Sequence, residues 1–376
     1  MPKYVFLLGR EPDLSVAELL SLFPSVKKQG IFAFLETEQD ISGLISSLGG
    51  TIKIGKILAE SISKSDLEKV CVENILLTLQ PEKKTRIAID SFVSGLNTLV
   101  FRVKDKLKIQ GHSIRVVQHD TTGRVKTATT LHEKLIERWC ELMIFAGDTG
   151  YTVAQTIGVQ DIDAYTHRDI GRERSMTVGM MPPKLAQIML NLATKGERGL
   201  QIWDPFCGLG TTLIEAFHAG YTQLLGSDIS EDMIAATTKN TAICDGIHSE
   251  VFYHDARYLD TKKLTVPTVI VTEWMLGHNF TPGTLTHQSA IKERGILEVL
   301  YRDFFASAWR NHQIQSIVCC LPVWNIGRES ISMPTHETLA PDWILDPLCQ
   351  QWRRYLLHAR PGQSVTREIL ILRRVR

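Results

Sequence analysis

The second half of this 376-residue chain predicts an α/β domain built on a doubly wound, mainly parallel sheet. Three observations predict it. Short apolar strands alternate with helices from residue 184 onward, the rhythm of parallel sheets covered by helices. A carboxylate closes each of four successive strands, at Asp204, Asp228, Asp255 and Glu273. The first strand also runs into Asp204-Pro205-Phe206-Cys207-Gly208-Leu209-Gly210-Thr211, a turn whose glycines let backbone approach a ligand closely. Such sheets bind ligands at the carboxyl ends of their strands.

The elements follow in order. Tyr4–Leu8 predicts a strand, Gly9–Asp13 a turn, and a helix comes next. Ser15 and Glu18 are spaced for a reciprocal capping box, with Leu14 and Leu19 as its hydrophobic staple. Ile31–Leu35 predicts a second strand, and Gly49-Gly50 punctuates a boundary. From Thr51 the apolar spacing predicts a helix over Ser65–Leu79, strands over Thr85–Asp90 and Ile114–Val117, a long helix over Thr130–Phe145 and a strand over Tyr151–Val159. The polar loop before Thr130 carries Arg124 and Lys126; it is either a phosphate grip or a solvated connection. Asp161–Val178 predicts a polar linker holding Arg168, Arg172 and Arg174. Pro182-Pro183 opens a helix over Lys184–Ala193, proline being favourable at a first helical position.

In the second half, strands are expected at Gln201–Trp203, Gln223–Gly226, Val251–Tyr253, Val269–Thr272 and Ile317–Leu321. Helices are expected at Thr211–Ala219 and Asp232–Ala242. Tyr355–Arg360 and Arg367–Arg373 predict a closing hairpin that adds an antiparallel edge.

Composition excludes several classes of protein. Hydrophobic residues make up 44% and charged residues 22%, as in ordinary soluble domains, and the longest apolar runs are far too short to cross a bilayer. No membrane partner is expected. The seven cysteines are scattered without a C-x-x-C pair, which supports neither a zinc site nor a disulfide framework. A reducing cytoplasm fits best. The histidines show no metal spacing, and no metal is expected. A net charge of +1 does not by itself argue for nucleic acid. The arginine-rich end, with Arg367, Arg373 and Arg374 among seven arginines after residue 350, is either a phosphate surface or a solvated strand face.

The glycine-rich turn leaves two candidate ligands, a dinucleotide or S-adenosylmethionine. The dinucleotide fingerprint wants a third glycine at position 213, where Leu213 stands. Asp204 ahead of the turn suits a cation, the methionyl amino group or the sulfonium. Asp228 suits ribose hydroxyls and Asp255 an adenine amino group, so one ligand accounts for all three carboxylates. A tight turn with no ligand explains the glycines but not the aspartates. Cys207 has no neighbouring base in sequence to activate it and is expected to pack, and Cys319-Cys320 reads as core.

Asp-Pro-Phe-Cys-Gly-Leu-Gly-Thr-Thr resembles the cofactor motif of class I RNA methyltransferases. More of the chain resembles the THUMP-domain tRNA guanosine-N2 methyltransferases. The carriers are Tyr4–Leu19, Val159–Tyr165 with Arg168-Asp169, Gly179–Ala186, and Arg360-Pro361-Gly362-Gln363 with Arg367-Glu368-Ile369. The resemblance is weakest over 51–150. It implies a ferredoxin-like domain at 1–55, a THUMP RNA-binding domain at 56–165, a linker at 166–180 and a Rossmann-like methyltransferase domain at 181–376. That last domain would be seven-stranded with an antiparallel final hairpin. Cofactor contacts are then expected at Asp204, Pro205, Cys207, Gly208, Gly210, Thr211, Thr212, Asp228, Ile229, Asp255 and Ala256. RNA contacts are expected at Arg124, Lys126, Arg168 and Arg172. The partner would be tRNA, and some relatives of this type work with a small activator subunit.

One departure stands out. Methyltransferases of exocyclic amines carry Asp/Asn-Pro-Pro-Tyr/Phe after the fourth strand, where oxygens orient the amine and the aromatic ring stacks on a flipped base. Here the stretch is Thr272-Glu273-Trp274-Met275-Leu276-Gly277, without either proline. Aligned on Gly277, Glu273 takes the acceptor position and Trp274 the stacking face, one position out of register. The alternatives are an altered working site, or a site that has lost catalysis with Trp274 in the core. Function is accordingly expected to be methylation of guanosine N2 in tRNA. The rivals are another amine such as adenine N6, or a tRNA-binding protein with a non-catalytic methyltransferase domain.

Overall fold

The computed structural model describes residues 1–79, 84–117, 122–169, 180–259, 263–264, 266–277, 284–351, 356–359 and 363–374. The chain divides into two compact units. The first comprises Met1–Pro12, Ser25–Ser46 and Thr51–His167; the second comprises Asp13–Pro24, Ser47–Gly50 and Arg168–Arg376.

Strand β1 (Lys3–Leu8) leads to helix α1 (Pro12–Leu22), which belongs to the second unit. The first unit continues with β2 (Lys27–Gln29), β3 (Phe32–Glu36), β4 (Thr51–Ile62), α2 (Leu67–Leu76), β5 (Thr85–Ser91), α3 (Leu99–Ile109), β6 (Ile114–Val116), α4 (Thr127–His132), β7 (Cys140–Ala146) and β8 (Tyr151–Val159), before α5 (Ile162–Asp169). Its strands form one eight-stranded sheet in the order β2-β3-β1-β4-β8-β7-β5-β6. The twelve-residue β4 pairs antiparallel with β1 on one side and β8 on the other. The expected break near residue 55 therefore lies inside a strand. Helices α2 and α3 bury Cys71, Ile75, Val103 and Leu107 against Ile87, Ile89 and Leu142 of the sheet.

Lys53 on β4 is almost fully buried, and its ammonium reaches Asp90 at 2.9 Å and Glu141 at 2.8 Å. Glu141 also accepts from Thr130 and Thr156, and Asp90 from Arg124 and the Val125 backbone. Each buried charge is thus matched by opposite charge and donors, as burial requires.

The long helix expected over Thr130–Phe145 is corrected. Helix α4 ends at His132, Lys134 takes a left-handed φ of 53°, and Cys140–Phe145 is a strand buried at every residue. A strand buried on both faces shows no alternation, so its apolar run does not distinguish it from a helix. The capping box is corrected too. Helix α1 starts at Pro12, placing Ser15 inside it. Glu18 instead accepts from the backbone N–H groups of Gly49 and Gly50 and from Asn191 Nδ2, at 2.7–2.9 Å. Burial pushes the Glu18 carboxyl up to about 7.

The second unit runs on through α6 (Pro183–Thr194), β9 (Gln201–Asp204), α7 (Thr211–His218), β10 (Leu224–Asp228), α8 (Glu231–Ala242), β11 (Ser249–Tyr253), β12 (Thr268–Thr272), α9 (His287–Trp309) and β13 (Ile314–Ile326). It ends with β14 (Glu329–Ser332), α10 (His336–Leu339), β15 (Ile344–Leu345), α11 (Pro347–Gln351), β16 (Leu357–His358) and β17 (Val365–Arg373). The sheet follows the seven-strand path β11-β10-β9-β12-β13-β17-β15, with β14 and β16 pairing off it. Strands β9 to β13 on this path are parallel. Period-two alternation sorts their side chains: Val269, Val271, Val318 and Cys320 pack with α1, α6 and α7, while Ile270, Ile317 and Cys319 pack with Tyr301, Phe304 and Phe305 of α9. Each such buried aliphatic or aromatic side chain contributes about 1.5–3 kcal/mol.

The closing strand is not an edge, as the sequence suggests. β17 lies between β13 and β15, antiparallel to both. Its Ile369 and Ile371 face one core while Leu370 and Leu372 face the other, so both faces of the strand are covered.

Lys53→Met is expected to destabilise the first unit by roughly 3–5 kcal/mol, because it takes the buried cation from Glu141 and leaves Asp90 with Arg124 alone. Urea unfolding followed by circular dichroism measures this; an unchanged midpoint would mean the cluster holds nothing.

Candidate active site

The carboxyl ends of β9, β10 and β12 open on a cleft of about 810 Å³, within the range of cofactor sites. All the expected cofactor residues except Gly210 line it, together with Glu273, Trp274 and Arg367.

The turn between β9 and α7 is held from several sides. Gly208 and Gly210 take φ of 50° and 81°, a region that side chains disfavour. A Cβ on Gly208 would meet nothing nearer than 3.9 Å, so this backbone faces open space. Gly208 N–H donates to Asp228 Oδ2 at 3.1 Å. From α8, Thr237 donates to the Gly208 carbonyl at 2.6 Å and Asn240 to that of Leu209 at 3.0 Å. The sequence reading misses these two anchors, for nothing in their spacing marks them. It also misses Gly226 on β10, where a Cβ would come within 2.7 Å of Leu213 Cδ1. The close helix–strand approach that a third loop glycine gives in dinucleotide folds is supplied here from the strand.

Asp204 is almost wholly buried. Its Oδ1 accepts from Thr272 Oγ1 at 2.6 Å and from the Phe206 N–H at 3.1 Å. Burial nonetheless pushes its carboxyl up to about 6, the mark of an anion short of a cation. Asp228 also accepts from the Ser230 N–H. Beside it Ile229 is 57% exposed and offers an apolar wall. Asp255 caps a short turn and takes the Arg257 guanidinium on both oxygens, which holds its carboxyl below the usual range. An adenine amino group would have to share it. Cys207 is buried, receives the Thr237 hydroxyl at 3.6 Å, and has its thiol pushed well up by burial, so it is a packing residue.

At the end of β12, Glu273 and Trp274 part company. Glu273 forms a buried pair with Arg367 of β17, whose Nε and Nη2 both donate to Oε1, at 3.0 and 2.7 Å. Glu273 Oε2 is buried with no hydrogen-bond partner among the described residues. Trp274, expected as a stacking platform, is corrected. Its indole is 2% exposed, stacks on Tyr301 at 4.1 Å, and meets the rings of Phe206, Phe304 and Phe305 at 5.2–5.7 Å. No face is left for a base. Met275, 50% exposed and lining the cleft, stands at the rim instead.

The basic residues divide in the same way. Arg168 is corrected: it grips the fully buried Glu215 of α7 through Nε and Nη2 at 3.1 and 3.2 Å. Arg124 is partly exposed and lies 3.7 Å from the Phe92 ring centre. Arg172 lies outside the described residues. Of the terminal arginines, Arg373 pairs with Asp346, and Arg374 donates to carbonyls of residues 308–314 while covering Trp309. Like Arg367, whose guanidinium is buried against Glu273, these two form neither a phosphate surface nor a solvated face; Arg353, Arg354, Arg360 and Arg376 lie outside the described residues.

Fold and cleft together define the class, a Rossmann-like methyltransferase unit. Residues 171–279 match the family described as RMKL-like, methyltransferase domain. A tRNA (guanine(10)-N2)-dimethyltransferase of Methanothermobacter thermautotrophicus is 31% identical over 197 residues, 52% of this chain and 50% of that protein. One of Methanocaldococcus jannaschii is 28% identical over 137 residues, 36% of this chain and 38% of that one. The matches span half or less of the length of these relatives. The crystal structure of TrmN from Thermus thermophilus shares the fold over 99% of this chain and 100% of its own, with a TM-score of 0.53 at 15% identity.

Arg168→Ala is expected to cost about 3 kcal/mol of stability by removing a two-point cation contact from the fully buried Glu215, and to leave RNA affinity unchanged. Thermal unfolding and filter binding separate the two; weakened binding at full stability would restore Arg168 as a contact.

Proposed function

We propose that this chain is an S-adenosylmethionine-dependent tRNA methyltransferase acting on guanosine N2. The observation that carries it is the buried Oε2 of Glu273, without a hydrogen-bond partner among the described residues, beside a glycine-rich cofactor turn. A buried acceptor without a donor costs about 1–3 kcal/mol, and an acceptor amine N–H relieves that cost. The relatives named for guanine-N2 methylation support the choice of amine.

The residues present fit the cofactor. The backbone at Gly208 faces open space, and the Asp204 carboxyl lacks the cation that a methionyl amino group or sulfonium provides. S-adenosylmethionine supplies a methyl group already activated on a sulfonium. Asp204 holds the positive end, Asp228 takes the ribose hydroxyls, and Ile229 covers the adenine. Glu273 orients the acceptor amine, and orientation supplies much of the rate of an in-line displacement. The proton leaves after the nitrogen is methylated, so no strong base is required. With Trp274 in the core, Met275 is the side chain placed to lie against the base, its soft thioether suiting an aromatic face.

We assign residues 1–55 to a ferredoxin-like domain and 56–165 to a THUMP domain, the two sharing strand β4 within the first unit's single sheet, followed by a linker at 166–180 and, in the second unit, the catalytic domain at 181–376. Arg124 and Lys126 are the first unit's RNA contacts, Arg124 being the one held half-exposed on an aromatic face. Seven free cysteines fit a reducing cytoplasm, and no described helix is long and apolar enough to cross a membrane.

The packed indole favours a second reading, a tRNA-binding protein whose methyltransferase domain is silent. Unmodified tRNA incubated with labelled methyl donor, followed by nucleoside analysis, decides between them. N2-methylguanosine is expected, and Glu273→Ala is expected to lower its formation by about 10²-fold or more. Label on adenosine would reassign the base, and label appearing only with a small activator subunit would add a partner. No label under either condition would leave the silent reading.

Affinity for S-adenosylmethionine should follow Asp204. Its carboxyl, pushed up to about 6, must be ionised to hold a cation, so binding weakens as pH falls through that value. Calorimetry between about pH 5 and 7 should show the loss approaching tenfold per unit at the acid end. Asp204→Asn should bind more weakly and show no such slope.

A further inference from the structure

We propose that Arg367 is a positioning residue for the acceptor amine, which turns Glu273 into an acceptor with one free oxygen. This rests on the methyl-transfer reading above. A guanidinium facing a carboxylate ordinarily spreads two N–H donors over two oxygens in a parallel fork. Here Nε and Nη2 converge on Oε1 alone, at 3.0 and 2.7 Å, and Oε2 has no hydrogen-bond partner among the described residues. As a purely structural ion pair this is a poor arrangement, because one buried lone-pair set stays orphaned while its fork-shaped partner is misused. As a substrate clamp it is economical. The carboxylate is fixed in rotation, its charge is held, and the remaining oxygen is left for a donor that arrives from outside.

The fixing is rigid. Arg367 stands on β17 opposite Pro322 of β13 and His358 of β16, and both charged side chains are under 9% exposed. The same arrangement selects the acceptor. A base presenting an N–H satisfies Oε2, whereas one presenting a carbonyl or a carbon leaves it orphaned and is rejected. Arg367 itself makes no contact with the reacting atoms.

The test is a double-variant cycle on Glu273→Gln and Arg367→Met in the full chain, with methyl transfer to unmodified tRNA as one readout. Calorimetric affinity for S-adenosylmethionine and thermal unfolding are the others. Arg367→Met should lower kcat by about 10²-fold, with KM for tRNA and affinity for the methyl donor within about threefold. Arg367→Lys should regain about tenfold of the loss. In the Glu273→Gln background, Arg367→Met should cost less than about threefold, since the two act as one unit. Should Arg367→Met alone fail to fold, the comparison of Glu273→Gln with the double variant, which buries no lone charge, carries the test.

Losses that multiply across the cycle would overturn the proposal. So would full activity in Arg367→Met, or a loss of methyl-donor binding as large as the loss of turnover. A wild-type chain that binds the methyl donor but transfers nothing to tRNA would instead sink the methyl-transfer reading, and this one with it.

Discussion

A carboxylate at the wall of an apolar cleft persists only if something holds its charge, and in the second unit that holder comes from the last strand. Glu273 ends β12, Arg367 sits on β17, and the two meet because β17 lies inside the sheet next to β13. The order of strands, the position of the acceptor oxygen and the burial of both charges are therefore one fact seen at three scales.

The cofactor turn depends on a complementary device. Its glycines give the backbone room, but room alone leaves a loop loose. Thr237 and Asn240 tether its carbonyls, while Asp228 takes one of its N–H groups. Pre-organised backbone of this kind needs little reordering when a ligand arrives, and that is where affinity is gained. Gly226 and Leu213 show how the same helix–strand closeness is reached with the glycine on the other partner.

Much of this was legible in the sequence, for reasons that are themselves physical. Strand-end carboxylates and a glycine-rich turn are local, and local signals survive in one dimension. The Glu273–Arg367 pair spans 94 positions, and no spacing rule reaches across it. The fate of Trp274 depends on α9, whose Tyr301, Phe304 and Phe305 enclose the indole. Helix α9 opens with Thr286 and Ser289 rather than a threonine–glutamate box, and its start is correspondingly faint. Residues 130–145 mislead for the opposite reason, since a strand buried on both faces carries no period at all. Arg168 reads as an RNA contact in a polar linker until the buried Glu215 is seen beneath it.

Strand β4 sets an order of events during synthesis. Lys53 of β4 pairs in register with Val159 of β8, and its ammonium waits for Asp90 and Glu141. Helix α1 likewise waits for α6, since Leu14 and Ala17 find their packing partners among Leu185, Ile188 and Met189. A nascent chain emerging from the ribosome thus carries two unfinished surfaces at once. One is closed only as β8 appears and the other only as α6 appears, with the ordering cost of long-range closure met late in each case.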